Sequence, residues 1–431
     1  MKRRLFLLAG LCILSIGLVG CGPPQDVVNT EAVESMEKQE LILAGIDFNA
    51  SILSEVDDFN QLSDDTVITL RDYGDGSGVA SNNIINSVFK DAISGEMADI
   101  YIISPSFGMP IDALIVQNMF VDLYPFLNED TTISRDDFFS TILETVQQDD
   151  KLLYFPVSYS LSGIWARPEY ADNANRFPVH RISELSQMYP ENNMLFGGLS
   201  NMDLIHMELA QNQDLYVNWE TKECNFISER FWDVLEAAYH LPKYSPDGRE
   251  EMIDYFAGVY LLEGRQFFVP YNISGFESYL MKTEDAVYNA YDGDLVSMTL
   301  TDSEVVLDIR SSFAITSACP NPDIAWNFLR TLLEMEYQQA LPKASAPALP
   351  MNIHAFSVET DRLLNENKGT KVSFGRIQDL IQSANAVSSF DDQIVLIIYE
   401  EVSAYFSDEK TVEDTAQMIQ DRVSLYLLEY E

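Results

Sequence analysis

The stretch Glu40-Leu41-Ile42-Leu43-Ala44-Gly45, running into Asp47-Phe48-Asn49, opens the part of the chain that decides the fold. Five apolar or small residues followed by polar ones read as a short buried strand and its loop. Residues 51–60 then carry Ile52, Leu53, Val56 and Phe59 at i, i+1, i+4 and i+7, the spacing of one helical face. Residues 66–73 alternate through Val67 and Ile68 to Leu70, a second strand. Residues 82–94 place Ile84, Ile85, Val88, Phe89 and Ala92 on one helical face, and Asp99-Ile100-Tyr101-Ile102-Ile103 is a third strand running into Ser104-Pro105-Ser106. Strand, helix, strand, helix, strand with short loops predicts a parallel α/β sheet. Ligands of such sheets bind outside the carboxyl ends of the strands. That rule selects Asp47, Phe48, Asn49, Ser104 and Ser106 as candidate binding residues.

Outward from this core the α/β pattern continues. Helices are expected near 112–119, 136–148 and 228–240, and strands near 152–157, 163–167 and 266–270. A long amphipathic helix over 321–341 opens at Asn321-Pro322-Asp323, with proline where the first turn lacks partners anyway. Segments 378–386, 392–406 and 412–428 give a helical C-terminal end. There is no Ser/Gly-rich linker and no internal repeat, so two lobes exchanging segments fit better than domains in series. The 431 residues are 47% hydrophobic and 11% aromatic, enough to build real cores. With 26 Lys and Arg against 68 Asp and Glu the net charge is −42. Such a field repels phosphate backbones, which sets nucleic acid aside as a partner.

Toward the N-terminus, Lys2, Arg3 and Arg4 precede an uncharged stretch over 5–19. At about 1.5 Å per residue it covers about 22 Å, short of the roughly 30 Å hydrocarbon core, which fits a secretory signal rather than a permanent span. Leu18-Val19-Gly20-Cys21 resembles the lipobox of bacterial lipoproteins, in which Cys21 becomes the lipidated mature N-terminus; an ordinary signal with a coincidental cysteine is the alternative. Residues 1–20 are thus a signal peptide and 21–39, polar and without an apolar period, a flexible tether. Of four cysteines, Cys12 leaves with the signal and Cys21 takes the lipid. Cys224 and Cys319 remain, and two separate, buried thiols are expected rather than a disulfide framework.

Catalytic and metal signatures are missing. His180, His206, His240 and His354 are scattered, with no metal-ligand spacing. Gly74, Gly76 and Gly78 make a flexible turn rather than a phosphate loop. Ser407 to Lys410 matches S-x-x-K without the companion motifs it needs. Counting does not test for a glycosidase-type acid pair among 68 carboxylates, and a solvated acidic surface accounts for them. No cofactor is expected.

A resemblance sharpens this reading. Asp122-Leu123-Tyr124-Pro125-Phe126-Leu127 followed by Tyr154-Phe155-Pro156-Val157 resembles the extracellular solute-binding proteins of ABC importers, the group that includes maltose-binding protein. Ala325 to Leu329 with Glu336-Tyr337-Gln338, the crossing from Leu341-Pro342 to Leu349-Pro350-Met351-Asn352, and Thr411 to Leu427 resemble later parts of the same group in the same order. The resemblance implies an α/β, two-lobed periplasmic-binding-protein-like fold of type II, each lobe a mainly parallel sheet flanked by helices, with cleft and hinge between. Residues 40–155 with 300–345 would form one lobe, and 156–299 with 346–431 the other. It implies a monomeric receptor that captures a small solute, a sugar or oligosaccharide, and delivers it to an ABC permease. The protein would be held by lipid at the outer face of the cell membrane. By position, Tyr271 falls where the group places a sugar-stacking aromatic, with Asn272 beside it; half-buried packing is the competing role for Tyr271. Asp47 to Asn49 match the first-strand loop, Ser104 to Ser106 a loop bearing polar ligands, Ser158 and Ser160 the hinge-proximal segment, and Ser200 a cleft loop of the second lobe. The sequence departs from maltose binders at Ile103, Ser106 and Ser160, which stand where they carry Trp or acidic residues, so maltodextrin is not the implied ligand. Two other classes stay open: an exported lipoprotein enzyme acting on carbohydrate, and a surface interaction protein with a vestigial cleft.

Overall fold

A computed structural model describes residues 38–46, 48–74, 83–109, 111–166, 179–189, 199–243, 266–280, 296–298, 305–344 and 347–428. Cys21 and Asp47 lie outside the described residues, as do the signal and most of the tether. The opening follows the sequence pattern: β1 (Gln39–Gly45), α1 (Ala50–Leu62), β2 (Thr66–Asp72), α2 (Asn83–Ser94) and β3 (Ile100–Ile103). β1 pairs in parallel with both β2 and β3. Asn49 caps α1, its Oδ1 accepting from the backbone N–H groups of Ser51 at 3.0 Å and Ile52 at 3.1 Å.

Short helices α3 (Ile111–Val116), α4 (Tyr124–Glu129) and α5 (Ser140–Val146) lead to β4 (Phe155–Ala166). The sequence suggested two strands here; the structure has one of twelve residues. Its register against the neighbouring strand shifts around Pro156 and Ser158, where proline offers no N–H to the ladder. Next come α6 (His180–Met188), α7 (Asn201–Tyr216), the two-residue strands β5 (Val217–Asn218) and β6 (Glu223–Cys224), α8 (Glu229–Tyr239), β7 (Phe268–Ile273), β8 (Val296–Met298) and β9 (Val305–Ile315). The segment expected as one helix over 321–341 is two, α9 (Pro322–Leu333) and α10 (Met335–Ala340), because Glu334 is extended (ψ 158°). Gln338 explains why the break is stable. Fully buried, it donates to the carbonyls of Leu332 (2.8 Å) and Val157 (3.2 Å) and accepts from the backbone of Met351 (2.8 Å) and Asn352 (3.3 Å). The chain closes with β10 (Leu349–Pro350), α11 (Ile353–Asn365), α12 (Lys371–Ser383), β11 (Ala384–Val387), α13 (Asp392–Tyr405) and α14 (Val412–Leu428).

Among the described residues nine strands form one sheet with the order β10-β4-β9-β3-β1-β2; β7 and β8 also pair with β4, and β11 with β9. Pairing is parallel through β1, β2 and β3 and between β9 and β11, and antiparallel around β4 and β9. Two hydrophobic cores flank it. The first collects β1 to β3, the odd-numbered residues of β4 from Phe155 to Leu161, β9 and α9. The second collects α6 to α8, α13 and α14 with Ile164, Ala166 and Phe268. The boundary expected after residue 345 needs correction in one respect. The buried side chains of β10, α11 and α12 belong to the first core, where Phe356 packs on Phe139 (5.4 Å between ring centroids) and on Phe276 (4.9 Å). No helix among the described residues is long and apolar enough to cross a membrane.

Candidate polar binding face

Side chains alternate along a strand, so one face of β4 reads Ser158, Ser160 and Ser162 while the other reads Val157, Tyr159 and Leu161. The apolar face lies in the first core; the serines lie on its reverse, before Ile164 and Ala166 enter the second core. Pairing brings matching residues alongside: Ser160 stands opposite Asp308 of β9 and Ser162 opposite Asn272 of β7. Arg310 follows two residues on along β9, on the same face.

These groups form one hydrogen-bonded patch. The Ser162 hydroxyl donates to Asp308 Oδ2. Asn272 Nδ2 donates to the same oxygen at 2.7 Å, to Ser162 Oγ at 2.9 Å and to Ser160 Oγ at 3.5 Å. Arg310 donates from Nε to Ser160 Oγ at 3.2 Å and from Nη2 to Asn272 Oδ1 at 3.4 Å. Burial pushes the Asp308 carboxyl above the usual range, while the donated hydrogen bonds and the Arg310 charge pull it back. The patch therefore offers a carboxylate, an amide, a guanidinium and hydroxyls, fixed by each other and by the sheet. Such a set suits a polyhydroxylated molecule, whose hydroxyls both donate and accept.

Two further predicted residues stand at its edge. Ser104 Oγ donates to the Arg310 carbonyl at 3.0 Å, and Ser106 Oγ to the Ser388 carbonyl at 2.9 Å. Ser158, 6% exposed, lies on the same strand face. The remaining predictions land elsewhere. Asn49 is spent on capping α1, and Phe48 packs against the first core. Ser200 is fully buried and caps α7 in a reciprocal pair with Asp203.

Tyr271 requires a correction. It lies inside β7 rather than after a strand, and its neighbour Asn272 takes the polar face, so the Tyr271 ring points the opposite way. That ring is 7% exposed and stacks on Trp165 with centroids 4.4 Å apart and planes 25° from parallel. It also lies over Gly163, directly across the ladder, where an added Cβ would come within 2.5 Å of the Tyr271 hydroxyl. In this structure the Tyr271 ring packs against Trp165 and over Gly163.

Ser162, Asp308 and Arg310 were not anticipated. The available signal was Val305-Val306-Leu307-Asp308-Ile309-Arg310: two charges at a spacing of two inside an otherwise apolar strand. Two surface recesses, one of about 420 Å³ beside Trp232, Tyr239 and Tyr405 and one of about 580 Å³ beside Asn218, Glu223 and Gln420, lie away from this patch. Cys224 and Cys319 are separate free thiols, as expected, but only Cys319 is buried and Cys224 is half-buried.

No protein-family model and no curated relative matches this sequence. Solved structures do. A family 1 extracellular solute-binding protein from Alicyclobacillus acidocaldarius superposes with a TM-score of 0.52 at 13% identity, covering 91% of this chain and 100% of that one. The sugar-binding protein MalE from Xanthomonas citri gives a TM-score of 0.54 at 14% identity, with 91% and 98% covered. An ABC substrate-binding protein from Listeria monocytogenes, in complex with cycloalternan, gives 0.54 at 11% identity, with 91% and 99% covered. At these identities the likeness is one of fold: this chain has the two-lobed α/β architecture of family 1 extracellular solute-binding proteins.

Proposed function

We propose that this chain is a membrane-anchored extracellular receptor that captures a sugar or oligosaccharide and hands it to an ABC permease. The observation that carries the reading is the polar patch of Ser160, Ser162, Asn272, Asp308 and Arg310, on the sheet face reached just before β4 passes into the second core. Hydroxyl, amide and charged groups already aligned by their own hydrogen bonds lose little freedom when a ligand replaces water, which favours binding. The lobes would be built on the two cores, with β4 and β9 as the linking strands and the ligand held between them. Closure follows because a ligand touching both lobes favours the closed state over the open one. Solved relatives in this fold are described as binding sugars such as cycloalternan and mannotriose, which supports a carbohydrate. The signal and lipobox over residues 1–21 support anchoring through Cys21. A glycosidase needs two carboxylates facing each other; among the described residues of this patch Asp308 stands with serines, an amide and a guanidinium instead.

A panel of mono- and oligosaccharides, screened by thermal shift and then calorimetry, tests the reading. At least one sugar raises the midpoint of the wild type without being turned over. Asn272→Ala weakens that sugar by roughly 10- to 100-fold, as expected for losing hydrogen bonds that involve charged groups. The reading fails if no sugar binds, or if Asn272→Ala binds the same sugar equally well.

A further inference from the structure

Arg310 stands out electrostatically. In a chain with 68 acidic and 26 basic residues, a cation ordinarily finds a carboxylate. Arg71, Arg181, Arg230, Arg330, Arg362 and Arg422 all do so within ion-pair distance. Arg135 and Arg310 have no such partner among the described residues, but Arg135 is exposed and lies over the Tyr124 ring at 3.5 Å, whereas Arg310 is half-buried on the polar face. Its hydrogen bonds go to a hydroxyl and an amide oxygen. The nearest candidate is Asp308, two residues away on the same strand face. It is kept separate by Asn272, whose amide donates to Asp308 Oδ2 and accepts from Arg310 Nη2. The carboxylate is hydrogen-bonded by Ser162 and Asn272, and the guanidinium attracts it across the patch without forming an ion pair.

We propose that Arg310 recognises a carboxylate on the ligand, so that the captured solute is an acidic sugar, a uronate or an oligosaccharide bearing one. This rests on the receptor reading above and names its substrate class. The planar fork of the guanidinium matches a carboxylate with two parallel hydrogen bonds, while the exposed Asn272 beside it meets ring hydroxyls and the fully buried Ser160 holds Arg310 in place. One guanidinium next to Asp308 suits a monoanion; a phosphate dianion would meet the Asp308 charge with a single cation to offset it. The overall charge of −42 does not forbid this, because at physiological ionic strength surface charges beyond about 8 Å are largely screened.

The test is calorimetry on the mature chain with glucuronate, galacturonate and their oligosaccharides, each beside its neutral counterpart. It compares the wild type with Arg310→Gln and Arg310→Lys. An acidic probe should bind the wild type at least 10-fold tighter than its neutral twin and weaken as salt rises. Arg310→Gln should erase the preference, a loss of roughly 10- to 100-fold, and Arg310→Lys should restore part of it. Ligand-free thermal midpoints of both variants close to the wild type show that recognition and not folding has changed. Neutral sugars binding as tightly as acidic ones would overturn this inference and leave the receptor reading standing. Silence from every probe would overturn both. A preference that survives in Arg310→Gln, or a sugar phosphate that outcompetes the uronate, would refute the role given to Arg310.

Discussion

Gly163 and Tyr271 face each other across the β4–β7 ladder, and their coupling is a quantitative test of the packing role given to Tyr271. A Cβ at Gly163 would lie 2.5 Å from the Tyr271 hydroxyl oxygen, 2.7 Å from Cζ and 2.8 Å from Cε1, all closer than real contacts allow. Gly163→Ala must therefore push the ring off Trp165, an overpacking penalty of about 1–3 kcal/mol. Tyr271→Ala removes a ring that is 7% exposed and stacked at 4.4 Å, about 3–5 kcal/mol by analogy with other buried aromatics. In the double variant the clash is gone and the new methyl occupies part of the space the ring left. Alanine also suits a strand interior better than glycine by about 0.5–1 kcal/mol. The double variant should thus be less destabilised than the sum of the singles by on the order of 1–3 kcal/mol, measured by urea unfolding of all four proteins. Additivity within about 0.5 kcal/mol would refute the contact. So would a Tyr271→Ala protein that keeps its ligand-free stability and loses only sugar affinity, the signature of a stacking residue.

Two other predictions follow, one from the structure and one from the sequence. Asp391 caps α13 from a buried position, and burial raises its carboxyl to about 6, against the hydrogen bonds from Tyr426 and the backbone of Gln393 and Ile394. Because the unfolded value is near 3.9, the folded state binds the extra proton over about pH 4–6. Stability from this residue is then greatest at the acid end of that window and falls as pH rises through about 6, by on the order of 1–3 kcal/mol. Asp391→Asn keeps the capping oxygen and should flatten the pH 4–8 stability curve; an unchanged slope would contradict the burial account. At the other end of the chain, Cys21→Ser should release the protein from membranes or block its processing, read by fractionation; normal processing with retention at the membrane would refute the lipobox reading.

The opening α/β units were legible because their signals were local. β1, β2 and β3 alternate or run apolar, and α1 begins where Asn49 can cap it. Reading failed where function or long-range pairing interrupts such patterns. β4 looked like two strands because Ser158, Ser160 and Ser162 occupy the face that would otherwise be apolar. The helices over 201–216 and 353–365 were missed. In the first, Glu208, Asn212 and Gln213 are buried polar residues that hide the apolar period; Glu208 is held by Arg230, Asn212 and Tyr216. Tyr271 was misplaced because Pro270 looks like a strand end, whereas β7 runs on to Ile273, and in a strand a one-residue difference exchanges faces. Of the candidate patch, Ser160 and Asn272 are named by position in the sequence. Asp308 and Arg310 were not, since only the pairing of β4 with β7 and β9 brings together residues more than a hundred positions apart.

That pairing also joins the patch to contacts that run between the two cores. The guanidinium of Arg310 faces the patch, while its carbonyl accepts from Ser104 in the loop leaving β3. The same loop continues to Ser106, which donates to the Ser388 carbonyl, and to Gly108, whose carbonyl accepts from the Asp392 N–H at 3.3 Å. Gly108 is left-handed (φ 79°), and a Cβ there would lie 2.1 Å from Asp392 Cγ, so only glycine permits this approach. Asp392 begins α13, whose buried face belongs to the second core, whereas β3 lies in the first. Arg310 on β9 is thus one hydrogen bond from a loop that touches both cores.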